Sequence, residues 1–226
     1  MILRQNKQNI KCLYNKLINN KVKVKMVIDM GEIYQPIDNI YNEMVVQDAL
    51  KRRKLHLNDD VDDISMFKLM YYMDKIKQKD DSEGIKLGER QPIKIIINSY
   101  GGVIYDCMAL LSKIERFQQE YKYKIITELT GKGMSCGAFI FAFGDERLIN
   151  RYGTLLFHQL SAGNYGNFTQ LKIGHEEHVR LQTLINDLIV KKTNIPRELF
   201  EQKTDGKDWY LSPEDCIKYN VATKII

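Results

Sequence analysis

Residues 122–143 decide the fold, and they read KYKIITELTGKGMSCGAFIFAF. The stretch opens with β-branched residues that are typical of a strand and that extend to Leu129. Closely spaced glycines follow, and residues 139–143 are apolar on every side, as in a short buried helix. A strand that turns sharply into a core helix is the repeating step of an α/β fold. The pattern therefore predicts a strand, a tight turn and a buried helix, with Ser135 in the turn.

The same alternation continues on both sides of this stretch. Before it, residues 93–97 (IKIII) predict a buried strand, residues 98–102 a tight turn, and residues 103–119 a helix with an apolar face. After it, the pattern predicts two short strands, 147–150 and Thr154–Phe157, and a long helix over 168–191. Two shorter helices follow, one opened by Pro196 and one capped by Ser212, and residues 221–226 are predicted to form a last strand. Strands that alternate with helices predict an α/β protein with much parallel sheet.

The region before residue 93 gives a weaker pattern. Lys54–Leu57 predicts a short strand, and Asp59 or Asp60 can cap a helix that runs to about Lys77. The helical spacing of four apolar residues predicts the buried face of that helix: Ile64, Phe67, Met70 and Met73. Residues 79–91 are polar and contain two glycines, so we expect a loop there.

Composition limits the class of protein. The chain has 226 residues, of which 44% are hydrophobic and 28% charged, as in an ordinary globular domain. No apolar run approaches the roughly 18 residues of a membrane span, and the first twenty residues lack the apolar block of a signal peptide. Four scattered cysteines in a chain of this length do not form a disulfide framework. We therefore expect a cytoplasmic protein with reduced thiols.

The basic charge of the chain is concentrated at one end. The net charge is +5, and residues 1–25 carry seven basic residues and no acidic one. This pattern favours a solvated basic arm, with an anionic partner or a membrane surface as the alternative. The overall charge is too small to indicate nucleic-acid binding.

Ser135 is the strongest candidate for a catalytic residue. It follows a strand, lies among glycines and opens a buried helix, whose first N–H groups are free to bind a developing oxyanion. The alternative is that Ser135 is only a helix cap, since serine is a favoured cap residue.

A serine nucleophile needs a base and a carboxylate that orients the base. His158, at the end of the strand Thr154–Phe157, is the candidate base. Asp208, just before the last capped helix, is the candidate carboxylate, and Asp205 is equally plausible on chemistry alone. Taken singly, the histidine could be structural and either aspartate could be a surface turn residue.

Three further motifs suggest other chemistry. His175 and His178 are three residues apart rather than the four of zinc proteases, and no third ligand is evident, so we interpret them as a solvated helix face. Cys136, beside the serine, is interpreted as a small buried cysteine rather than the nucleophile. Residues 98–102 lack the spacing of a phosphate-binding loop.

From about residue 50 onward, the chain resembles the proteolytic subunit of the Clp protease. The resemblance rests on five blocks in the same order: 97–102 (INSYGG), 133–139 (GMSCGAF), 157–159 (FHQ), 204–208 (TDGKD) and 211–219 (LSPEDCIKY). It implies a crotonase-like α/β fold, with repeated strand–helix units in stacked sheets and a protruding assembly helix. It also implies two parts, a divergent basic segment over residues 1–49 (a pore loop or extension) and a protease domain over residues 50–226.

The resemblance assigns a role to each candidate. The family's serine falls on Ser135, its histidine on His158 and its aspartate on Asp208 rather than Asp205, because Asp208 keeps the distance to Leu211. The family's oxyanion hole uses backbone N–H groups that fall on Gly102 and Cys136. The implied activity is a serine endopeptidase that cuts unfolded proteins or short peptides inside a ring-shaped chamber, with no cofactor and no metal.

The resemblance also implies partners. Seven subunits form a ring, two rings enclose the chamber, and an AAA+ unfoldase that uses ATP feeds it. Residues 161–166 and the following helix resemble the glycine-rich strand and long helix that join the two rings. Neither nucleic acid nor membrane is implied as a partner.

This sequence departs from the family pattern at several positions. Tyr100 replaces a proline, Met134 and Cys136 flank the serine, and Lys207 replaces an arginine that senses assembly of the double ring. Lysine keeps the charge but cannot form a bidentate pair. Residues 79–91 look like an insertion, and residues 1–49 match poorly.

Two alternatives stay open at this point. One is a non-catalytic ring subunit with the same fold. The other is a viral processing protease that acts in capsid assembly.

Overall fold

The computed structural model describes residues 34–226, with side chains from residue 43 onward. The basic arm expected over residues 1–25 lies outside the described residues. The helices are α1 (Tyr34–Lys51), α2 (Asp63–Ser82), α3 (Ile104–Gln119), α4 (Cys136–Ala142), α5 (Phe168–Lys192), α6 (Arg197–Thr204) and α7 (Pro213–Lys218). The strands are β1 (Lys54–Leu57), β2 (Ile93–Ser99), β3 (Ile125–Met134), β4 (Glu146–Ile149), β5 (Thr154–Phe157), β6 (Trp209–Leu211) and β7 (Lys224–Ile225).

One branched sheet contains all seven strands of the described residues. Five of them lie in the order β1-β2-β3-β4-β7 and are parallel. The long strand β3 belongs to two arms, because its first half pairs with β4 and its last residues pair with β5. Strand β6 then adds to β5 in antiparallel orientation. The predicted α/β class, with a mainly parallel sheet, is confirmed.

The core forms where the predicted apolar patterns meet. In β2, Ile93, Ile95 and Ile97 are fully buried, as the period of two requires. Every residue of α4 is buried, which confirms the interpretation of residues 139–143 as part of a core helix. The helix begins three residues earlier than that apolar run, directly after Ser135.

The start and the buried face of α2 differ from the prediction. Asp62, not Asp59 or Asp60, caps the helix through a capping box with Ser65. The buried stripe contains Met66, Leu69, Met73 and Ile76, whereas Ile64 and Phe67 are exposed. The sequence offers two neighbouring stripes of apolar residues, and only contact with the sheet decides which one is buried.

The polar loop predicted over residues 79–91 is partly helical. Helix α2 continues to Ser82, and a short 3₁₀ turn covers Leu87–Glu89. The last turn of α2 is retained because Asp80 is buried and binds Arg53 and Tyr123. A charged residue in a polar stretch gave no sign of such burial.

Two predicted strands also change. Residues 221–226 form only the two-residue strand β7, because the Arg147 guanidinium binds the carbonyls of Val221 and Asn220 and holds them in a turn. Residues 161–166, expected to resemble a glycine-rich strand, form no strand among the described residues and are exposed. The described strands offer this segment no partner for a ladder.

The described residues Met44–Ile226 form one compact unit. Helix α1 runs through the predicted boundary at residue 49, and that division stays a prediction. Within residues 34–226, each helix is too short or too polar to cross a membrane.

Candidate active site

Ser135 occupies a strained turn between β3 and α4. Its backbone has φ 53° and ψ −123°, a conformation that costs a residue with a side chain about 1–3 kcal/mol. The Ser135 N–H donates to the Leu156 carbonyl at 3.0 Å, and the Ser135 carbonyl accepts from the Ala138 N–H at 2.9 Å. The Ser135 side chain makes no capping hydrogen bond. The strain is therefore not explained by helix capping. The hydroxyl interacts instead with the neighbouring Cys136 thiol and helps to lower the pKa of that thiol.

Gly101 packs directly against this turn. A Cβ at Gly101 would lie 2.6 Å from the Met134 carbonyl oxygen, 2.7 Å from the Ser135 Cβ and 2.9 Å from the Cys136 nitrogen. With φ at 96°, the backbone also has a conformation that glycine adopts most easily. The turn after β2 thus touches the turn after β3, as is expected at the carboxyl ends of neighbouring parallel strands.

Gly102 directs its N–H group away from a one-residue β-bridge. The Val61 N–H donates to the Gly101 carbonyl at 2.8 Å, and the Val103 N–H donates to the Val61 carbonyl at 2.7 Å. The residue between two such bonds turns its own N–H and C=O to the other side. On that side the Cys136 thiol lies 3.3 Å from the Gly102 carbonyl oxygen.

Two backbone N–H groups next to Ser135 are consequently free. Among residues 43–226, the Gly102 N–H donates to no oxygen or nitrogen atom, and the Cys136 thiol lies beside it. The Cys136 N–H belongs to the first residue of α4, where no intrahelical acceptor exists. Free N–H groups in this position can bind an oxygen that becomes negative during a reaction.

His158 and Asp208 lie next to the end of the β5–β6 ladder. The antiparallel register pairs Leu155 with Leu211, Leu156 with Tyr210, and Phe157 with Trp209. His158 directly follows the last pair in β5 and Asp208 directly precedes it in β6, so the two residues lie at the same end of the ladder. His158 is half-buried and Asp208 is exposed.

The register of β3 and β5 brings Ser135 to the same edge. Gly133 pairs with Leu155 and Met134 with Leu156, so Ser135 is level with the last residue of β5 and one residue short of His158. The three sequence-predicted residues therefore gather where β3 and β5 end and β6 begins. In this single subunit, over the described residues, no hydrogen bond joins the Ser135 hydroxyl to His158 or the His158 ring to Asp208.

Asp205 has a different environment. Its carboxylate accepts a hydrogen bond from the Gln159 side-chain Nε2 at 3.2 Å, and the Gly206 N–H donates to the Gln159 side-chain Oε1 at 3.1 Å. This arrangement ties the turn after α6 to the segment that follows His158. It gives Asp205 a hydrogen-bond partner, whereas Asp208 has none among the side chains that the structure describes.

Two of the other motifs have identifiable contacts. Glu177, between His175 and His178, accepts from Arg180 at 2.7 Å and from the Tyr105 hydroxyl at 2.9 Å, and these hydrogen bonds lower its pKa to about 2. From residue 43 onward, no cluster of three metal-binding side chains is present. The thiol of Cys136 is buried between Gly102 and Cys107, and its hydrogen bond with Cys107 lowers its pKa.

The structure shows the surroundings of two residues that depart from the family pattern, Tyr100 and Lys207. The Lys132 ammonium lies 3.8 Å from the centre of the Tyr100 ring, so a cation–π contact holds the residue that replaces a proline. Lys207 is exposed on the turn before Asp208.

Sequence reasoning missed two residues that shape this edge, Val61 and Ser99. Val61 anchors the Gly101–Gly102 turn through a bridge that no local pattern reveals. Ser99 could have been found, because it continues the buried positions 93, 95 and 97 of β2 and is therefore a polar residue at a core position.

The arrangement defines an α/β protein with a serine, a histidine and an aspartate at one edge of a parallel sheet. A family model described as Clp protease matches residues 38–226. The chain belongs to the Clp protease family, which confirms the resemblance seen in its motifs. It is 28% identical over 138 residues to the ATP-dependent Clp protease proteolytic subunit of Deinococcus radiodurans. That match covers 60% of this chain and 65% of the relative, slightly less than two thirds of the relative's length.

Proposed function

We propose that this protein is a serine endopeptidase with Ser135 as nucleophile, His158 as general base and Asp208 as the carboxylate that orients the histidine. The observation that carries the proposal is the strand register. The ladder of β5 and β6 ends next to His158 and Asp208, and Ser135 is level with the end of β5, which supports the proposal. Family membership supports the same chemistry.

Each residue has a defined step in the proposed mechanism. His158 takes the proton of the Ser135 hydroxyl while the serine oxygen attacks the scissile carbonyl carbon. The carbonyl oxygen becomes negative and is bound by the Gly102 and Cys136 N–H groups. His158 then donates the proton to the leaving amine, and an acyl-enzyme is left on Ser135. Water, activated by His158, hydrolyses the ester and restores the free serine.

The strained turn and the free N–H groups are suited to these steps. One oxyanion donor contributes about 10²–10³ to kcat in comparable sites. Gly101 already packs against Ser135, and this packing would hold the two donors in place for this step. The reaction requires neither metal nor organic cofactor.

The proposed substrates are unfolded proteins or short peptides, cut inside a chamber of one or two heptameric rings. Exposed apolar side chains on and just before α5 support assembly through this helix, among them Tyr165, Phe168 and Leu171. We also propose an AAA+ unfoldase as the partner that uses ATP. Lys207, in place of the family's arginine, weakens any double ring that depends on a bidentate pair at this position.

One observation favours a second candidate function, a non-catalytic ring subunit. In the single subunit, no hydrogen bond connects Ser135, His158 and Asp208 within the described part of the chain. The two candidates differ in whether assembly closes these contacts.

The deciding experiment is hydrolysis of short fluorogenic peptides by fractions from a sizing column. We expect activity in ring-sized fractions, and we expect Ser135→Ala to abolish it while the ring is retained. The matched control is Ser112→Ala, which removes an exposed hydroxyl on α3 and leaves activity unchanged. Activity that survives Ser135→Ala would overturn the assignment of the nucleophile. Intact rings without activity would favour the non-catalytic subunit.

A further inference from the structure

Ser99 is a polar residue in a position that the core normally reserves for an apolar one. It is 1% exposed and continues the row of buried isoleucines in β2. A buried hydroxyl is tolerated only where its hydrogen bonds are made. Its partners therefore indicate what it does.

The Ser99 hydroxyl joins two backbone segments. It donates to the Asp59 carbonyl at 2.6 Å and accepts from the Gly101 N–H at 3.1 Å. Asp59 lies just before Val61, the residue that bridges to Gly102. One side chain thus fastens the turn after β2 to the segment that precedes α2.

The geometry of the Gly101–Gly102 peptide explains why this matters. A trans peptide directs its C=O and the following N–H in opposite directions. The Gly101 carbonyl is fixed toward the Val61 N–H at 2.8 Å, so the Gly102 N–H points the opposite way. The Ser99 hydroxyl accepts from the Gly101 N–H, which belongs to the peptide before it, Tyr100–Gly101. Both ends of Gly101 are therefore held, and the direction of the Gly102 N–H follows.

The packing around Ser99 also ties this turn to α4. A Cβ at Gly137 would lie 3.1 Å from the Ser99 carbonyl oxygen and 3.5 Å from the Ser99 Cβ. The first turn of α4, which carries the Cys136 N–H, thus rests on Ser99. Ser99 therefore contacts both the Gly101–Gly102 turn and the first turn of α4, which carry the two free N–H groups.

We propose that Ser99 is a positioning residue whose hydroxyl holds the Tyr100–Gly101 peptide and so fixes one side of Gly101, while the Val61 N–H fixes the other, so that the Gly102 N–H faces the oxygen of the reacting carbonyl. This inference rests on the proposed function. Without the hydroxyl, the buried Gly101 N–H loses its acceptor, and Gly101 is held only through its carbonyl.

The first test compares steady-state kinetics of the wild type and Ser99→Ala on a fluorogenic peptide. We expect kcat to fall about tenfold with KM nearly unchanged, because a misdirected donor loses part of the roughly 10²–10³ that a complete oxyanion donor supplies. A peptide aldehyde, which forms a tetrahedral adduct with a serine, should bind more weakly by the same factor.

A matched variant separates positioning from stability. Thr127 is fully buried in β3, and its hydroxyl donates to the Phe141 carbonyl at 2.7 Å, near the far end of α4. Thr127→Val removes a buried hydroxyl that contacts neither Gly101 nor Gly102. We expect it to lower thermal stability while kcat and aldehyde affinity per folded molecule stay unchanged. An equal loss of kcat in both variants, or unchanged aldehyde affinity in Ser99→Ala, would overturn the positioning role.

A readout that is independent of catalysis distinguishes this inference from the proposed function. In Ser99→Ala, hydrogen exchange should accelerate in a peptide that covers residues 98–104, while residues 93–97 keep their protection. Unchanged exchange at the glycines would refute the positioning role even if the enzyme is active. Conversely, activity that survives Ser135→Ala would refute the proposed function, whatever the exchange data show.

Discussion

The two ends of the parallel strands β1, β2 and β3 differ in whether their polar groups have hydrogen-bond partners. At the amino ends, the Asp80 carboxylate is fully buried, and it accepts hydrogen bonds from the Arg53 guanidinium at 2.8 Å and from the Tyr123 hydroxyl at 2.7 Å. At the carboxyl ends, the Gly102 N–H donates to no oxygen or nitrogen atom among the described residues, and Ser135 is held in a strained turn.

Under the proposed function, this difference separates groups that stabilise the fold from groups that take part in the reaction. Burial disfavours the charged form of Asp80, but the hydrogen bonds from Arg53 and Tyr123 outweigh this and hold its pKa below the usual value. The pKa of Tyr123 is raised, by burial and by its bond to Asp80. A fully paired charge gives a rigid junction, whereas unpaired donors beside a strained serine are useful only when a ligand completes them.

The largest expected effect is at the carboxyl ends, in Asp208→Asn. We expect kcat for peptide hydrolysis to fall about 10⁴-fold, because an amide cannot hold the imidazole in the required tautomer or stabilise its charged form. The matched control is Asp205→Asn, which lies on the same turn and bonds Gln159. It should change kcat by less than about threefold, as surface substitutions generally have small effects. A reversed ranking of the two variants would move the catalytic role to Asp205.

The largest effect at the amino ends should be on stability. Asp80→Ala leaves the Arg53 charge without its buried partner, and breaking a buried pair costs about 3–5 kcal/mol in the free energy of unfolding. Urea unfolding followed by circular dichroism measures this loss. The control, Asp74→Ala, breaks a more exposed pair with Lys113 and should cost less than about 1 kcal/mol.

The kcat of Asp80→Ala tests the same comparison between the two ends of the sheet. Under conditions where Asp80→Ala is folded, its kcat should equal that of the wild type, because Asp80 lies at the end of the sheet opposite the proposed site. A specific loss of kcat in this variant would show that the two ends are coupled, and the separation of roles would be wrong.

The junction at Asp80 also predicts a dependence of stability on pH. Its folded pKa is lower than its unfolded value of about 3.9, so its contribution is complete above that value and is lost as pH falls through the folded pKa. Unfolding free energies measured from pH 6 downward should therefore decline more steeply below about pH 4 in the wild type than in Asp80→Asn. Parallel curves for the two proteins would contradict the lowered pKa.

The same contrast explains how far the sequence could predict the molecule. Most strands and helices from residue 93 onward follow from local periodicity, and the turn at Ser135 follows from its glycines and the buried helix after it. The three-residue strand β6 was not predicted, and the last strand is reduced to the two residues of β7. The placement of His158 and Asp208 at the same end of the ladder depends on the register of β5 and β6, which residue patterns do not specify without a family for comparison. Asp80 and Val61 were missed because their roles depend on partners more than 25 residues away in the chain.

The smallest expected effect concerns Tyr100, which holds the glycine turn by an exposed contact rather than a buried one. The Lys132 ammonium lies 3.8 Å from its ring centre, and cation–π contacts at exposed sites contribute about 0.5–1 kcal/mol. If this contact restrains the turn before Gly101, Tyr100→Ala should lower kcat roughly two- to fivefold, a range that corresponds to that energy.

Tyr100→Phe keeps the ring and should retain full activity. Lys132→Met should reproduce the loss, and the double variant Tyr100→Ala/Lys132→Met should lose no more than either single variant, because one contact is removed in all three. Additive losses would show that the two residues act separately, and the turn would then be held by Ser99 and Val61 alone.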